Sequence, residues 1–312
     1  MGEFDLIRRY FTRPDHTAHG VAVGIGDDCA ALVPTPGHHW LISSDMLVEG
    51  RHFLPTVDPA ALGHKALAVN LSDLAACGAT PRGFTLALAL PRVDEAWLAG
   101  FSQGLFALAD AHACPLVGGD TTQGPLNICI TVFGEAPAGQ MLRRNGAKPG
   151  DEIWVSGRLG DARLALEAFR GRVSSAGLDV LRPAMERPTP RVALGQALRG
   201  IATSSIDISD GLAGDLGHIL AASGVGACLD LPALPRSPQL AAQPRAAQIE
   251  CLLAGGDDYE LVFTASPGHA LPDVGLPLYR IGVIEPEPGL RVRDEAGQLL
   301  PTSWRSFDHF KS

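Results

Sequence analysis

The feature of this sequence that most constrains its fold is a series of aspartates set among small residues. Six short segments share this composition: GIGDD (24–28), SSD (43–45), NLSD (70–73), GGD (118–120), IDISDG (206–211) and GGDD (255–258). Small neighbours allow the backbone and a bound ligand to approach each other closely. Carboxylates are the ligands that Mg²⁺ requires, and protein-bound Mg²⁺ usually also holds substrate phosphates. The pattern therefore predicts a fold that brings distant aspartates together in an enzyme acting on nucleotide phosphates.

Composition limits the class of protein. The chain has 312 residues, 46% of them hydrophobic and 19% charged, which is typical of one large or two ordinary globular domains. Its formal net charge of −9 argues against a nucleic-acid partner, because such proteins usually carry a basic face. The six cysteines form no CxxC pair, and neither a signal peptide nor an apolar membrane span is evident. We therefore expect a cytoplasmic protein with reduced thiols and no membrane partner.

The order of predicted elements indicates two domains of α/β or α+β class. Helices are predicted at 3–12, 58–77, 94–112, 160–170, 189–199 and 211–222. Strands are predicted at 29–33, 39–43, 83–90, 114–118, 126–135, 151–156, 203–208, 259–264, 278–284 and 290–293. A stretch rich in Gly, Pro and Arg at 136–150 marks the boundary, which gives domains 1–138 and 139–312. The Pro- and Ala-rich segment 231–247 is expected to be a surface loop.

The helix at 58–77 gives the sharpest physical argument. Asp58 is the expected N-cap, with Pro59 at the first helical position. Spacings of three and four residues place Asn70, Asp73 and Cys77 on one face of a largely apolar helix. A carboxylate that faces a core needs a partner or a metal ion, whereas on an exposed polar face it would need neither.

Two further segments have local chemical meaning. In IDISDG, Asp207 and Ser209 point to the same side of a strand, and Asp210 follows at the turn into a helix, where it could also serve simply as the N-cap. In the GGD segment, which is expected to end a strand, glycines would expose backbone N–H groups that can cradle phosphate oxygens.

The common solutions to nucleotide binding are missing from the sequence. It contains no GxxxxGK[ST] loop, no protein-kinase motif set and no HExxH. A nucleotide would then be held by metal ions, backbone amides and an arginine. Arg143 and Arg144 are candidates for that arginine, although a solvated basic loop would look the same.

Taken in order, these segments resemble the thiamine-monophosphate kinase family. The similarity runs from GEF at the N-terminus through the six segments, with VEGRHF at 48–53, DDYEL at 257–261 and FDHF at 307–310. The resemblance implies a two-domain fold of the aminoimidazole ribonucleotide synthase (PurM-like) type. It also implies a homodimer formed through the N-terminal domains, with ATP bound near that interface, and Mg²⁺-dependent transfer of the ATP γ-phosphate to thiamine monophosphate.

The resemblance also implies residue roles at the matching positions. Asp73, Asp120 and Asp210 would be catalytic, and Gly119, Asp120, Arg144 and Ser209 would contact ATP. Several Mg²⁺ ions would be bound by Asp28, Ser43, Ser44, Asp45, Asp73, Asp120, Asp207 and Asp210. His52, Asp257 and an aromatic residue, Phe307 rather than Trp304, would contact the thiamine substrate.

One position departs from the family, which usually has Glu where this chain has Asp257. Other functions also remain open from the sequence. They are another ATP-using member of the superfamily, a metal-dependent phosphohydrolase, and a non-catalytic cation- or nucleotide-binding protein. The superfamily members that act on selenide or a carbamoyl group use a reactive Cys in a mobile glycine-rich or terminal segment, which this chain lacks.

Overall fold

A computed structural model of the chain describes residues 2–13, 20–174, 177–301 and Trp304. The chain divides into two compact units. The first contains Met1–Leu74 and Ala79–Gly139, and the second contains Ala75–Gly78 and Gln140–Ser312.

The first unit is built on a four-stranded sheet with strand order β3-β6-β4-β5. Its elements are α1 (Glu3–Tyr10), β1 (Val21–Val23), β2 (Ala31–Leu32), β3 (His38–Val48), α2 (Pro59–Ala76), β4 (Thr80–Leu90), α3 (Glu95–Ala111), β5 (Leu116–Gln123) and β6 (Asn127–Pro137). The β3–β6 and β6–β4 pairs are antiparallel, and β4 and β5 are parallel.

Side chains alternate along these strands, so one face of the sheet is much more buried than the other. Phe84, Leu86 and Ile130 belong to the buried face. On the opposite, open face, Ile42 is 63% exposed and Met46 is 53% exposed.

The second unit contains a six-stranded sheet with order β12-β9-β11-β7-β10-β8. Its elements are β7 (Glu152–Ser156), α4 (Asp161–Phe169), α5 (Leu178–Glu186), α6 (Val192–Ala197), β8 (Ala202–Asp207), α7 (Leu212–Ser223), β9 (Gly226–Asp230), α8 (Pro238–Ala241), α9 (Arg245–Ala254), β10 (Leu261–Ala265), β11 (Leu278–Glu285) and β12 (Gly289–Arg293). Among the described strands of this sheet, β12 and β9 pair in parallel and the other pairs are antiparallel. Strands β7, β10 and β11 share one apolar core with helices α4, α7 and α9.

The structure confirms the predicted start of helix α2. The Asp58 carboxylate accepts from the Ala61 N–H at 3.0 Å, which confirms its capping role at the start of α2. Asp94 caps α3 in the same way through the Trp97 N–H.

Other predicted elements were wrong. The segment 231–247 is not a plain loop, because it contains a 3-10 turn at Leu231–Ala233, helix α8 and the start of α9. Ser237 caps α8 by accepting from the Leu240 N–H, and Pro238 takes the first helical position. Helix α5 and strand β9 were not predicted at all. Strand β3 is longer than 39–43, and β5 continues through the GGD segment instead of ending there.

The described helices include none that is both long and apolar enough to span a bilayer.

Candidate active site

Strand β3 and helix α2 hold the first set of predicted site residues together. The Ser43 hydroxyl donates to the Asp73 carboxylate. The Asp45 N–H donates to the Asn70 side-chain oxygen at 3.1 Å. Asn70 is 1% exposed and its own amide donates to the Ala66 carbonyl at 3.0 Å, so its oxygen is fixed toward β3. We call Ser43, Asp45, Asn70 and Asp73 the β3–α2 cluster.

The strand register explains this arrangement. Ser43 and Asp45 lie opposite Val132 and Ile130 on β6, and those two residues are buried. Both site residues therefore belong to the sheet face on which Asp73 and Asn70 reach them. Asp73 is half-buried, as expected for a carboxylate facing inward with a partner.

Ser44 lies on the other face of the sheet. It pairs with Thr131, and its hydroxyl lies 2.9 Å from the Thr131 hydroxyl and donates to the Ile130 carbonyl at 3.2 Å. The structure thus separates the Ser44 side chain from those of Ser43 and Asp45. Alternation along a strand predicts this separation.

A cavity of about 760 Å³ in the first unit gathers the second set of predicted residues. It is lined by α1, by the segment containing Asp28, and by strands β4 and β5 with Gly119 and Asp120. We call it the β5 cavity. Asp28 and Asp120 are both exposed to it. The contribution of α1, through residues such as Phe4 and Ile7, could not be anticipated from the sequence, because no motif marks them.

Gly119 shapes the β5 cavity. Its φ of +145° is a backbone conformation that residues with a Cβ rarely adopt, and a Cβ here would lie 1.9 Å from the Leu86 carbonyl oxygen. The two adjacent strands therefore approach closely only because residue 119 has no side chain.

The β3–α2 cluster and the β5 cavity occupy opposite edges of the sheet. The register runs Asp45, Ile130, Leu86 and Gly119 across the four strands. Adjacent strands are spaced about 4.8 Å apart, so the two edges lie roughly 14 Å apart along that row. Over the described part of the chain, no group of three or more His, Cys, Asp and Glu side chains is close enough to hold a metal ion unaided.

In the second unit, IDISDG and GGDDYE form one backbone-linked structure. The Asp257 N–H donates to the Ser209 carbonyl, and the Tyr259 N–H donates to the Ile208 carbonyl, both at 2.8 Å. A Cβ on Gly256 would lie 2.4 Å from the Ser209 oxygen, so this close contact requires glycine. Asp207 is buried at the end of β8, whereas Ser209 and Asp210 are half-buried just beyond it.

Asp210 is not the N-cap of α7. That position is held by Gly211, and no side chain caps it there. The sequence interpretation missed Asp215. This residue lies in the first turn of α7, and its side chain binds N–H groups at the start of the helix as a cap residue would. Its carboxylate accepts from the Asp210 and Gly211 N–H groups, both at 3.0 Å. Burial raises the pKa of Asp215 to about 7. The only sequence signal for this role of Asp215 was the position of an Asp in the first turn of a predicted helix.

Asp257 adopts a strained conformation. Its φ of +67° is unusual for a residue with a side chain, and its carboxylate accepts from the Tyr259 hydroxyl at 3.1 Å. Such strain is found preferentially at functional sites. The Tyr259 hydroxyl therefore holds the Asp257 carboxylate in position.

His52 and Arg144 lie outside the helices and strands. His52 is half-buried, and its Nδ1 accepts from the Val48 N–H at 2.9 Å. Arg144 has an exposed side chain, while its carbonyl accepts from the Ser223 hydroxyl at 3.3 Å. Phe307 lies outside the described residues. Trp304, the alternative aromatic residue, packs partly buried against the core of the second unit.

The available donors suit a hard cation. They are carboxylates, hydroxyls and backbone oxygens, which Mg²⁺ prefers over nitrogen and sulfur ligands. All six cysteines are free thiols, and none lies in a sulfur-rich group that would favour a softer metal.

Comparison with known proteins accounts for both units. The family model for the N-terminal domain of AIR synthase related proteins matches residues 26–136, and the model for the C-terminal domain matches residues 148–295. The thiamine-monophosphate kinase of Salmonella typhimurium is 47% identical over 99% of this chain and 98% of its own length.

Solved structures agree with the sequence matches. The crystal structure of thiamine-monophosphate kinase from Stenotrophomonas maltophilia is 45% identical, with a TM-score of 0.83 over 88% of this chain and 92% of that one. A structure of AaThiL complexed with AMPPCP and TMP is 31% identical, with a TM-score of 0.79 over 89% of each chain. These matches confirm the mixed α/β, PurM-like fold. The chain belongs to the thiamine-monophosphate kinase family of AIR synthase related proteins.

Proposed function

We propose that this protein transfers the γ-phosphate of ATP to thiamine monophosphate and so produces thiamine diphosphate, in thiamine diphosphate biosynthesis. The observation that carries the proposal is the match over nearly the whole chain to thiamine-monophosphate kinases, including AaThiL complexed with AMPPCP and TMP. An ATP analogue and the phosphate acceptor occupy that relative together, which is the arrangement that a kinase needs.

The described residues support a role for Mg²⁺ in this reaction. In the first unit the ion-binding residues would be Asp28, Ser43, Ser44, Asp45, Asp73 and Asp120. In the second unit they would be Asp207 and Asp210. Bound Mg²⁺ would neutralise the negative charge of the phosphate oxygens of both reactants. The described residues form no closed group of three or more His, Cys, Asp and Glu side chains, so such ions would take their remaining ligands from phosphate oxygens and water.

We further propose direct in-line transfer without a phosphoenzyme. The acceptor is a phosphate oxygen that is already ionised, so no strong general base is required. Positioning and charge stabilisation would then supply most of the rate enhancement. The exposed backbone at Gly119, together with Ser209 and Arg144, would position ATP. His52, Asp257 and Phe307 would position the thiamine substrate.

A homodimer is supported by the open face of the first sheet. Ile42, Met46 and Val48 project from β3, an edge strand, and are 63%, 53% and 37% exposed. An apolar surface of this kind marks a protein–protein contact. In an isologous dimer the same face meets itself, so one edge of the sheet can lie beside the opposite edge of its partner. Such pairing would bring the β3–α2 cluster of one protomer close to the β5 cavity of the other.

A cytoplasmic location fits the free thiols, because all six cysteines remain unpaired and reducing compartments preserve that state.

Product analysis tests the proposed function. The purified protein is incubated with ATP and Mg²⁺, with and without thiamine monophosphate, and the nucleotide and thiamine products are quantified. We expect equimolar ADP and thiamine diphosphate, formed only when the acceptor is present. Release of inorganic phosphate without an acceptor would instead identify a phosphohydrolase. ATP binding without any product would identify a non-catalytic nucleotide-binding protein.

A further inference from the structure

Asn70 is a buried polar residue in the middle of α2 to which the proposed reaction gives no role. It is 1% exposed, and its neighbours Val69 and Leu71 are 2% and 0% exposed. A side-chain amide in such surroundings costs free energy unless its donor and its acceptor are both paired. Asn70 pairs both groups, and its two partners lie on different elements. The residue therefore links α2 to another part of the first unit.

The two hydrogen bonds of Asn70 determine how its side chain is oriented. Its Nδ2 donates to the Ala66 carbonyl at 3.0 Å, one turn earlier in α2. Its Oδ1 accepts from the Asp45 N–H of β3 at 3.1 Å. Because one partner is an acceptor and the other is a donor, only one of the two amide orientations satisfies both. A carboxamide makes both bonds at once, whereas an alanine would make neither.

The bond to Asp45 matters because β3 lies at the edge of its sheet. Among the strands that the structure describes, β3 is paired with β6 on one side and has no strand on the other. The outer side of an edge strand lacks the ladder of hydrogen bonds that holds a central strand in place. The Asn70 oxygen gives the β3 backbone an additional anchor on α2, at the residue that carries a proposed Mg²⁺ ligand.

The same anchor sets the spacing of the proposed ligands. Ser43 and Asp45 share one face of β3, and the Ser43 hydroxyl donates to the Asp73 carboxylate. Asp73 follows Asn70 by three residues, so both project from the same face of α2. The strand that carries Asp45 and the helix that carries Asp73 are therefore joined at Asn70.

The chemistry of Mg²⁺ makes this spacing important. The ion requires near-ideal octahedral geometry, with ligands about 2.0–2.1 Å away, so it tolerates little displacement of its carboxylates. Groups that orient metal ligands without touching the metal typically change its affinity roughly 10- to 100-fold when they are replaced. Asn70 is placed as such a group, because it binds the Asp45 backbone and lies beside Asp73 on the helix.

We propose that Asn70 is a positioning residue for Mg²⁺, which holds Asp45 and Asp73 at the spacing that the ion requires. It acts through the Asp45 backbone and not as a ligand. The inference rests on the proposed function, which gives the β3–α2 cluster its ion. It adds to that function a residue to which neither the aspartate pattern nor the family resemblance gave a role.

Two variants separate the bond to β3 from the bond within α2. Asn70→Ala removes both bonds. Asn70→Ser supplies a hydroxyl that can donate back to the Ala66 carbonyl, as serine does in helices, but it is too short to reach the Asp45 N–H. Both variants should therefore lose metal affinity to a similar extent.

Ser102→Ala is the matched control for these variants. Ser102 is 8% exposed on α3, and its hydroxyl donates to the Ala99 carbonyl at 3.2 Å. Its replacement removes a buried hydrogen bond of the same unit, outside the β3–α2 cluster. Any general loss of stability should then appear in the control as well.

Mn²⁺ binding to the full-length protein, followed by electron paramagnetic resonance, measures metal affinity without turnover. Mn²⁺ suits this purpose because it prefers the same oxygen ligands as Mg²⁺. We expect its dissociation constant to rise by about tenfold or more in Asn70→Ala and Asn70→Ser and to stay unchanged in Ser102→Ala. Hydrogen exchange at the Asp45 amide should become faster in the two Asn70 variants only. In the kinase assay, the Mg²⁺ concentration at half-maximal turnover should rise by a similar factor, and saturating Mg²⁺ should largely restore turnover.

Three results would overturn the assignment. The first is wild-type Mn²⁺ affinity in Asn70→Ser. The second is an equal loss of affinity in Ser102→Ala, which would make the effect one of general stability. The third is no saturable Mn²⁺ binding by the wild type up to about 10 mM, which is tenfold weaker than a millimolar site. A wild-type protein whose Mn²⁺ binding depends on Asn70 but which forms no thiamine diphosphate would contradict the proposed function and not the positioning role.

Discussion

At the scale of single residues, Gly119 determines how closely β5 can run beside β4. Its positive φ and the position of the Leu86 carbonyl leave no room for a Cβ. The neighbouring Asp120 lines the β5 cavity. The same backbone is also the proposed contact for ATP.

Replacing this glycine tests the claim. Gly119→Ala should lower the free energy of unfolding by about 2–4 kcal/mol, because it combines a steric clash with backbone strain. Turnover should fall as well, since Asp120 would move. Chemical denaturation and steady-state kinetics measure the two effects.

Gly217→Ala is a suitable control. Gly217 lies in α7, and nothing lies within 4 Å of the position that a Cβ would take. The substitution should be neutral or stabilise the protein by up to about 1 kcal/mol, through helix propensity. Equal stability of the two variants would contradict the account of Gly119.

The sequence predicted some residue positions well because the relevant signals were local. Helical spacing correctly grouped Asn70 with Asp73, and their contacts with β3 match the expectation that an inward carboxylate has a partner. Ser44 was grouped with Ser43 and Asp45 by family resemblance, although strand alternation sends its side chain to the opposite face. The roles assigned to individual residues remain predictions.

At the scale of elements, the turn between β8 and α7 is organised by Asp215. This buried carboxylate binds the N–H groups of Asp210 and Gly211 and so fixes the turn that carries Ser209 and Asp210. The GGDDYE segment fixes the other side of the same turn through backbone hydrogen bonds.

Two substitutions of Asp215 should therefore distinguish the contribution of its hydrogen bonds to stability from that of its side-chain volume. Asp215→Ala leaves two N–H groups without their acceptor and should cost about 2 kcal/mol of unfolding free energy. Asp215→Asn keeps one acceptor oxygen and should lose less. Urea denaturation of the two variants measures the difference. If the alanine variant proved as stable as the asparagine variant, the capping role would be wrong.

Element prediction failed where tertiary packing overrode composition. The Pro- and Ala-rich segment 231–247 looked like a loop, yet Ser237 with Pro238 begins a helix there and the buried Leu240 anchors it. Strand β5 was expected to end at Gly118. It continues to Gln123 in register with β4, and it can do so because residue 119 has no Cβ to clash with the Leu86 carbonyl.

At the scale of the whole molecule, we have proposed that a second copy of this chain covers the open apolar face of the first sheet. Met46→Glu would place a charge in the centre of that contact, so it should convert the dimer to a monomer. Light scattering coupled to size-exclusion chromatography measures this change.

Val180→Glu provides the comparison for Met46→Glu. Val180 is 65% exposed on α5, a helix of the second unit, and a charge there should leave assembly unchanged. A wild-type protein that is monomeric at micromolar concentration would contradict the proposed dimer. If the Met46→Glu protein remained dimeric, the dimer interface would have to lie on another surface.

The central claim is that the aspartates proposed to bind ions in each unit are required for Mg²⁺-dependent phosphoryl transfer. Its most direct test is the turnover of Asp73→Asn and Asp210→Asn with ATP, thiamine monophosphate and saturating Mg²⁺, compared with Asp179→Asn at an exposed position on α5. We predict that each site variant loses at least about a hundredfold in turnover while keeping its thermal unfolding midpoint, and that the control keeps full activity. Wild-type turnover in either site variant would contradict the claim.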